Sequence, residues 1–337
     1  MRLHWNVYGG GIANQIMSIQ VGMILSFISK RNLILYQKYP LAFSNKGLFI
    51  NDLFDFNFDF IKSDISNIAW IPADFSTCYY HLDKPNKDFI FGRECVNISD
   101  YQENDIGSST ANTLGYYSFK IFFNDCKKEA VQYLTDNIQP KEKYQFLARK
   151  ISDELGCKNS IHVRRGDFCQ IEHFANNYTA SFDKLENTIY NNFYNYPILV
   201  HTNEEDDKYF NCNNELIFID KIIQEKHPEL DCVELSLISM IIAMMSENFL
   251  GSLGSTFTGL IHQQRKIKNP SEKFKYLFSK NSTLNRFGEE IKVNGKYTWN
   301  QLKLKHWSEC NWQREFPECY DTSTEIFDAH ELNLNIH

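Results

Sequence analysis

The sequence predicts an α/β protein of doubly wound, mainly parallel sheets, and three observations carry that prediction. A strand, a glycine turn, a helix and a second strand follow one another within residues 3–36. The second half of the chain alternates short apolar runs with longer helical patterns. At 337 residues the chain exceeds what one hydrophobic core usually supports, so two domains are expected.

The elements follow in order. Residues 3–8 read as the first strand, and Gly9-Gly10-Gly11 as the turn that ends it. The helix after it carries Ile16, Ile19, Met23 and Phe27 at spacings of three and four, and residues 32–36 form the second strand. Residues 41–117 have no clear period. Their aromatic groups, at 53–56 and 75–81, suit a core or the lining of a cleft, with core the better reading because aromatic rings usually pack. Helices are expected over 122–137 and 141–155, divided by Pro140, with a domain boundary just before a strand at 160–164. Next come a helix at 182–194, strands at 198–201 and 216–219, a long apolar helix at 232–245 and a short strand at 249–251. A last helix opens from residues 252–258 and runs through Arg265. Residues 299–320, with three tryptophans, read as a packed extension, and those after Asp321 as a loosely held tail. The expected division is 1–155, 156–300 and an extension over 301–337.

Composition narrows the function. A net charge of -7 argues against a general nucleic-acid binder, which needs a basic face. Nine cysteines without a CxxC pair read as reduced thiols, and ten histidines show no metal spacing, so no metal is expected. No apolar run approaches the ~20 residues of a membrane span. The opening residues lack a hydrophobic signal core, so a cytoplasmic location is expected, and the three N-x-S/T sequons at Asn97, Asn177 and Asn281 read as chance.

Three short stretches carry chemistry. Ile161-His162-Val163-Arg164-Arg165-Gly166-Asp167 places two arginines at the C-terminal end of a strand, where α/β sheets present their ligand crevice. Guanidinium groups match phosphate oxygens in pairs and stay charged at working pH. The plainer alternative is a surface arginine pair bridged to Asp167. The glycine turn leads into a helix N-terminus, whose open N–H groups suit an anion, although a triple glycine also serves as a tight turn alone. Ser255 or Thr256 either caps the last helix or turns its hydroxyl to a phosphate.

Taken in order, Gly10-Gly11-Ile12-Ala13-Asn14-Gln15, His162-Val163-Arg164-Arg165-Gly166-Asp167 and Ser255-Thr256-Phe257-Thr258 with Arg265 resemble the GDP-fucose-dependent fucosyltransferases. The first two are most similar to bacterial α-1,2-fucosyltransferases, with their Gly-x-x-Asn-Gln turn and His-x-Arg-Arg-Gly-Asp loop. The stretch from Phe249-Leu250-Gly251 to Arg265 resembles the protein O-fucosyltransferases more closely. Ala13 stands where the family usually has glycine. The resemblance spans about residues 3–30 and 159–267 and stops there.

That resemblance implies a GT-B architecture, two facing Rossmann-like domains with a cleft between them, the N-terminal one on the acceptor side and the C-terminal one holding the donor. It implies GDP-fucose as donor, no cofactor and no metal, and inverting transfer. Arg164 is expected to stabilise the leaving β-phosphate, and Asn14 to reach the reacting sugar or phosphate. Gly10, Gly11, His162, Arg165, Asp167, Ser255, Thr256, Phe257, Thr258 and Arg265 are expected on the donor, with Arg165 as ligand or loop brace. Asn203 and Glu204 stand where relatives often have an acidic pair, and the asparagine departs from it. Glu234 suits a ligand group or a helix start, and Asp167 and Glu103 are both conceivable general bases. The expected acceptor is a glycan hydroxyl, free or lipid-linked at the inner membrane face with at most peripheral membrane contact. A protein Ser/Thr acceptor and a non-catalytic nucleotide- or carbohydrate-binding protein of the same fold are the alternatives.

Overall fold

A computed structural model describes residues 1–7, 10–64, 79–81, 89–90, 93–97, 106–107, 128–156, 158–164, 197–203, 216–252, 255–269, 271–272, 275–278, 292–293, 296–298 and 325–328. The chain divides into two units: Met1–Tyr144 with Asp231–Glu234, and Gln145–Leu230 with Leu235–His337.

The first unit is built on β1 (Arg2–Asn6), α1 (Ile12–Ser29) and β2 (Asn32–Tyr36). Leu3 and Trp5 alternate into the core from β1, and Ile16, Ile19 and Met23 of α1 are all buried. The helix stops where Lys30 takes the left-handed conformation (φ 54°), its N–H donating back to the Phe27 carbonyl at 3.3 Å. Beyond it lie α2 (Ile50–Leu53), β3 (Phe54–Phe56), β4 (Asp59–Ile61), β5 (Tyr79–His81), β6 (Phe89–Ile90), β7 (Arg93–Asn97), β8 (Ile106–Gly107), α3 (Lys128–Asn137) and β9 (Ile138–Pro140). The main sheet has the order β4-β2-β1-β8 and is parallel throughout. The chain therefore leaves β1 toward β2 on one side and returns to β8 on the other.

Leu53 and Phe54 are fully or almost fully buried, and Phe56 stacks with Phe54, Phe58 and Phe60 at centroid distances of 5.0–6.5 Å. Leu53 and Phe54 thus belong to the core, while Phe56, Phe58 and Phe60 are half-buried; of the aromatic group at 75–81, only the strand Tyr79–His81 is among the described residues. Helix α3 begins at Lys128; the earlier part of the helix expected from 122 lies outside the described residues.

The second unit contains most of α4 (Glu142–Leu155), then β10 (Asn159–Val163), β11 (Ile198–Thr202), β12 (Leu216–Phe218), α5 (Ile219–Lys226), most of α6 (Cys232–Met245), β13 (Asn248–Ser252) and α7 (Thr256–Lys268). Strands β14 (Lys275–Phe278), β15 (Lys292–Val293), β16 (Lys296–Thr298) and β17 (Glu325–Asp328) complete it. Its sheet runs β12-β11-β10-β13-β14-β17-β16-β15, parallel from β12 to β17 and antiparallel at β16 and β15. All five residues of β10 are buried, as expected for a strand covered on both faces. Helix α6 is apolar nearly all round and buries Leu237, Ile238, Met240, Ile242 and Ala243.

Two expectations need correction. The strand expected to run to Ile219 ends at Phe218, and Ile219 opens α5. Ile219 and Ile223 are the buried pair of an amphipathic turn, a period hidden by the continuous apolar run before it. The tail expected after Asp321 supplies β17, which lies between β14 and β16 inside the sheet. Four residues are too few for a period to show in the sequence. The helix expected at 182–194 and the extension at 299–320 lie outside the described residues.

Candidate active site

In the second unit, β11 and β12 lie on one side of β10, while β13 and β14 lie on the other. The strand order therefore reverses between β10 and β13. In open parallel sheets the crevice at the carboxyl ends of the strands, at such a reversal, is where ligands bind. Arg164 is the residue that leaves β10 at this point, and the loop to α7 leaves β13 there. Val163 pairs with Thr202, so Asn203, which is exposed, leaves the neighbouring strand at the same level as Arg164.

Gly251 sets how near α7 comes to this edge. A Cβ added there would lie 2.3 Å from Thr258 Cγ2 and 2.6 Å from Thr258 Oγ1, so only glycine lets the helix approach so closely. The approach brings the Thr258 hydroxyl to 2.7 Å from His162 Nδ1 and the Phe257 ring to 4.8 Å from the imidazole centroid. His162 is buried, and its pKa is pushed well below the usual value by that burial and then by the charges of Arg164 and His201. The imidazole is therefore neutral at working pH, and Arg164 carries the charge. Ser255 occupies the N-cap of α7 in an extended conformation without a side-chain capping bond. An α-helix leaves its first N–H groups without partners inside the helix. Thr256 and Phe257, both half-buried, belong to that first turn. A fixed cation and a helix N-terminus thus meet one strand edge, a combination suited to an anion such as a diphosphate.

Arg265, at the other end of α7, does different work. Its guanidinium donates to Glu272 (Nε, 2.8 Å), the Glu247 carbonyl (2.9 Å), the Ala243 carbonyl (3.4 Å) and the Ser246 carbonyl. With only 7% of it exposed, this arginine braces α7 against the turn between α6 and β13.

Behind the edge, a buried polar chain crosses the unit. His201 Nδ1 lies 2.7 Å from Ser239 Oγ, its Nε2 lies 3.2 Å from Ser160 Oγ, and Ser160 reaches Ser246 at 2.5 Å. Burial pulls the His201 pKa down to about 3. Asp220 accepts the Thr202 N–H at 3.0 Å, and burial pushes its carboxyl up to about 6 against the opposing hydrogen bonds from Ser239 and Thr202.

The first unit holds the glycine turn. Its main sheet also reverses direction, between β1 and β8, and the turn leaves the C-terminal end of β1. Gly10 has φ 122°, a conformation that side chains disfavour. Gln15 Nε2 donates to the Gly10 carbonyl at 3.0 Å. Gln37 Nε2 donates in turn to Gln15 Oε1 at 3.2 Å, and Gln37 Oε1 accepts the Ile50 N–H at 3.1 Å. Two buried glutamines therefore fix the turn that precedes Asn14. Gly11 is the N-cap of α1, and the buried Oδ1 of Asn14 accepts no hydrogen bond from the described residues. A buried acceptor left open in the first turn of a helix is costly unless something fills it.

Glu234 is committed to the first unit's own structure. Desolvation opposes its charge, but the Asp231 N–H (2.9 Å), the Tyr144 hydroxyl (2.6 Å) and Lys46 Nζ (3.1 Å) hold its pKa below the usual carboxylate value. Asp231 beside it accepts from the Ser44 hydroxyl at 2.9 Å and the Lys46 N–H at 2.8 Å. Glu234 thus follows the helix-start alternative.

Arg165, Asp167, Glu204 and Glu103 lie outside the described residues. Among the described residues, no group of three His, Cys, Asp or Glu side chains gathers as metal ligands, and no helix is long and apolar enough to cross a membrane. Gly251, Ser252, Thr202, Gln15 and Gln37, which hold these elements in place, carry no motif of their own in the sequence. Gly251, Ser252 and Gln15 stand inside the quoted motifs, and that nearness is their signal in the sequence.

No family model and no curated protein sequence matches the chain. Among solved structures, the chain is similar to NodZ alpha-1,6-fucosyltransferase soaked with GDP-fucose, at 14% identity and a TM-score of 0.45 over 79% of this chain and 91% of that one. It is similar to a FUT1 mutant from Arabidopsis thaliana in complex with GDP, at 10% identity and a TM-score of 0.45 over 78% of this chain and 68% of that one. It is also similar to POFUT1 in complex with GDP, at 12% identity and a TM-score of 0.42 over 82% of this chain and 98% of that one.

Proposed function

We propose that the protein is a GDP-fucose-dependent fucosyltransferase of the GT-B type, inverting and metal-independent, which moves L-fucose to a hydroxyl of a glycan acceptor. One observation carries the reading: the strand reversal between β10 and β13 brings Arg164 and the N-terminus of α7 to one edge. Those are the residues at which the chain resembles that family. In this reading, the second unit, Gln145–Leu230 with Leu235–His337, is the donor domain, and the first unit is the acceptor side; the expected boundary at residue 155 falls eleven residues later than the division between the units.

In the reaction, the acceptor oxygen bonds to the anomeric carbon while the bond from that carbon to the β-phosphate oxygen breaks. The electron pair leaves with GDP, and the acceptor proton passes to a general base, for which Asp167 and Glu103 are the candidates. Arg164 and the α7 N–H groups, placed before the reaction, stabilise the charge that grows on the phosphate, the task a divalent ion performs elsewhere. Neutral His162 adds no charge; it ties α7 to β10 and so fixes the two donors relative to each other. On the first unit, the buried Oδ1 of Asn14, which accepts no hydrogen bond from a described residue, is the proposed acceptor for a ligand donor group. Arg265 holds α7 in place without touching the donor.

A nucleotide panel tests the donor. GDP should raise the melting temperature more than UDP or ADP, and by the same amount in excess EDTA. Loss of protection on chelation, or equal protection by all three, contradicts the proposal.

A further inference from the structure

The strand edge holds a feature that neither the motifs nor the charge pattern announces. As β10 ends, the backbone ladder to its neighbours runs out, and two hydroxyls take over its hydrogen bonds. On one side, the Arg164 N–H donates to Ser252 Oγ at 2.8 Å, and the Ser252 hydroxyl donates to the His162 carbonyl at 3.1 Å. On the other, the Thr202 hydroxyl donates to the Val163 carbonyl at 2.7 Å, while the Thr202 N–H donates to Asp220 Oδ2 at 3.0 Å. Ser252 and Thr202 are the last residues of β13 and β11, the strands that flank β10. The three backbone groups that set where Arg164 leaves the sheet (His162 C=O, Val163 C=O and Arg164 N–H) are thereby held from both sides.

A hydroxyl suits this position better than a continued ladder. It bridges a strand end whose backbone is about to turn away, and leaves the Arg164 side chain outside the clamp. Serine's single hydroxyl serves two backbone groups at once, accepting one hydrogen bond and donating another. On the opposite side a donor alone is needed, and the branched threonine also keeps the β-strand conformation. Asp220 fixes Thr202 from behind, so the clamp rests on α5.

We propose that Thr202 and Ser252 are positioning residues that orient Arg164 toward a bound diphosphate, an inference that rests on the donor-site reading above. Functional side chains need such support, because small displacements cost much of their effect. The test measures the GDP dissociation constant by titration calorimetry, with the melting temperature of each unliganded variant as a control on folding. Thr202→Val keeps the shape and removes the hydroxyl, and should weaken GDP about tenfold; Thr202→Ser restores the hydroxyl and should return affinity to within about twofold. Ser252→Ala should repeat the loss from the other side. The deciding arm is Thr202→Val in an Arg164→Lys background, where the clamp no longer has a guanidinium to aim and should add less than twofold. A full tenfold effect in that background, or wild-type affinity in Thr202→Val, overturns the positioning role while leaving Arg164 as the ligand. Unchanged GDP affinity in Arg164→Lys, or no GDP binding by the wild type, instead overturns the donor-site reading and this inference with it.

Discussion

Gly251 faces Thr258 with no room for a side chain, and Gly251→Ala tests that packing. The new methyl would sit 2.3 Å from Thr258 Cγ2, 2.6 Å from Oγ1 and 3.0 Å from Cβ. Carbon atoms in contact prefer about 3.5–4.0 Å. Rotating Thr258 does not relieve this: both branches are too near, Cβ remains tight, and the 2.7 Å bond to His162 is lost. The start of α7 must therefore withdraw by roughly 1 Å. Overpacking of this kind costs about 1–3 kcal/mol, and the lost hydrogen bond about 1 kcal/mol more. The sum, about 2–4 kcal/mol, lowers the melting temperature of a domain this size by roughly 5–15 °C. Calorimetry reads that shift, and GDP titration reads the damage to the proposed anion site, expected to exceed tenfold. Removing both branches with Thr258→Ala should rescue part of the Gly251→Ala loss, so the two substitutions should couple by more than about 1 kcal/mol. A Gly251→Ala protein within ~0.5 kcal/mol of wild type, or strict additivity with Thr258→Ala, refutes the packing argument.

Other outcomes follow from the same geometry. Arg164→Lys keeps a charge but loses the planar fork, so fucose transfer should fall about a hundredfold with the melting temperature almost unchanged; near-normal turnover would exclude Arg164 as the leaving-group clamp. Arg165→Lys is the companion variant, expected to lose stability as much as activity. Arg265→Met strands Glu272 and three backbone carbonyls, and urea unfolding should show a loss of about 3 kcal/mol, with GDP affinity retained in the folded protein. A loss of GDP affinity without loss of stability would return Arg265 to the donor. For pH, the raised Asp220 pKa gives a stabilising contribution that is complete below the unfolded value of 3.8 and is lost as pH rises through about 6. His201 acts oppositely, its contribution being lost as pH falls from 6.5 toward about 3. Asp220→Asn, which keeps an acceptor for the Thr202 N–H, should therefore gain stability over wild type between pH 4 and 7, by at most about 3 kcal/mol; an unchanged pH profile would contradict the burial of that carboxyl.

Much of the local structure was legible in the sequence because periodicity reports it. The strand at 32–36 and the helix at 232–245 have the predicted bounds, β10 is shifted by one residue toward the N-terminus, and β11 runs one residue longer than expected. Legibility failed where period was absent or hidden. The run Leu216-Ile217-Phe218-Ile219 is apolar throughout, and nothing local says that the strand ends at Phe218. Strand β9 is three residues ending in Pro140, and β17 four residues in a stretch otherwise without pattern. The site divides in the same way. Arg164 could be placed at a strand end because Ile161 and Val163 alternate before it. The reversal of strand order that makes this end a crevice is a property of the whole sheet. The Thr202 and Ser252 clamps join residues 39 and 88 positions apart, and in the sequence each hydroxyl is simply a polar residue ending a strand. Arg265 shows the converse. An arginine one helix length after a phosphate-binding signature resembles a ligand until its partners are seen.

In the proposed donor site, the edge between β10 and β13 holds a nucleoside diphosphate through Arg164 and the N-terminus of α7. The most direct measurement is calorimetric titration of GDP into the wild type and Arg164→Lys, each with and without EDTA. The wild type should bind saturably, with the same constant in EDTA, and Arg164→Lys should bind at least tenfold more weakly. Equal binding by the two proteins, or binding that disappears with EDTA, contradicts the proposed site.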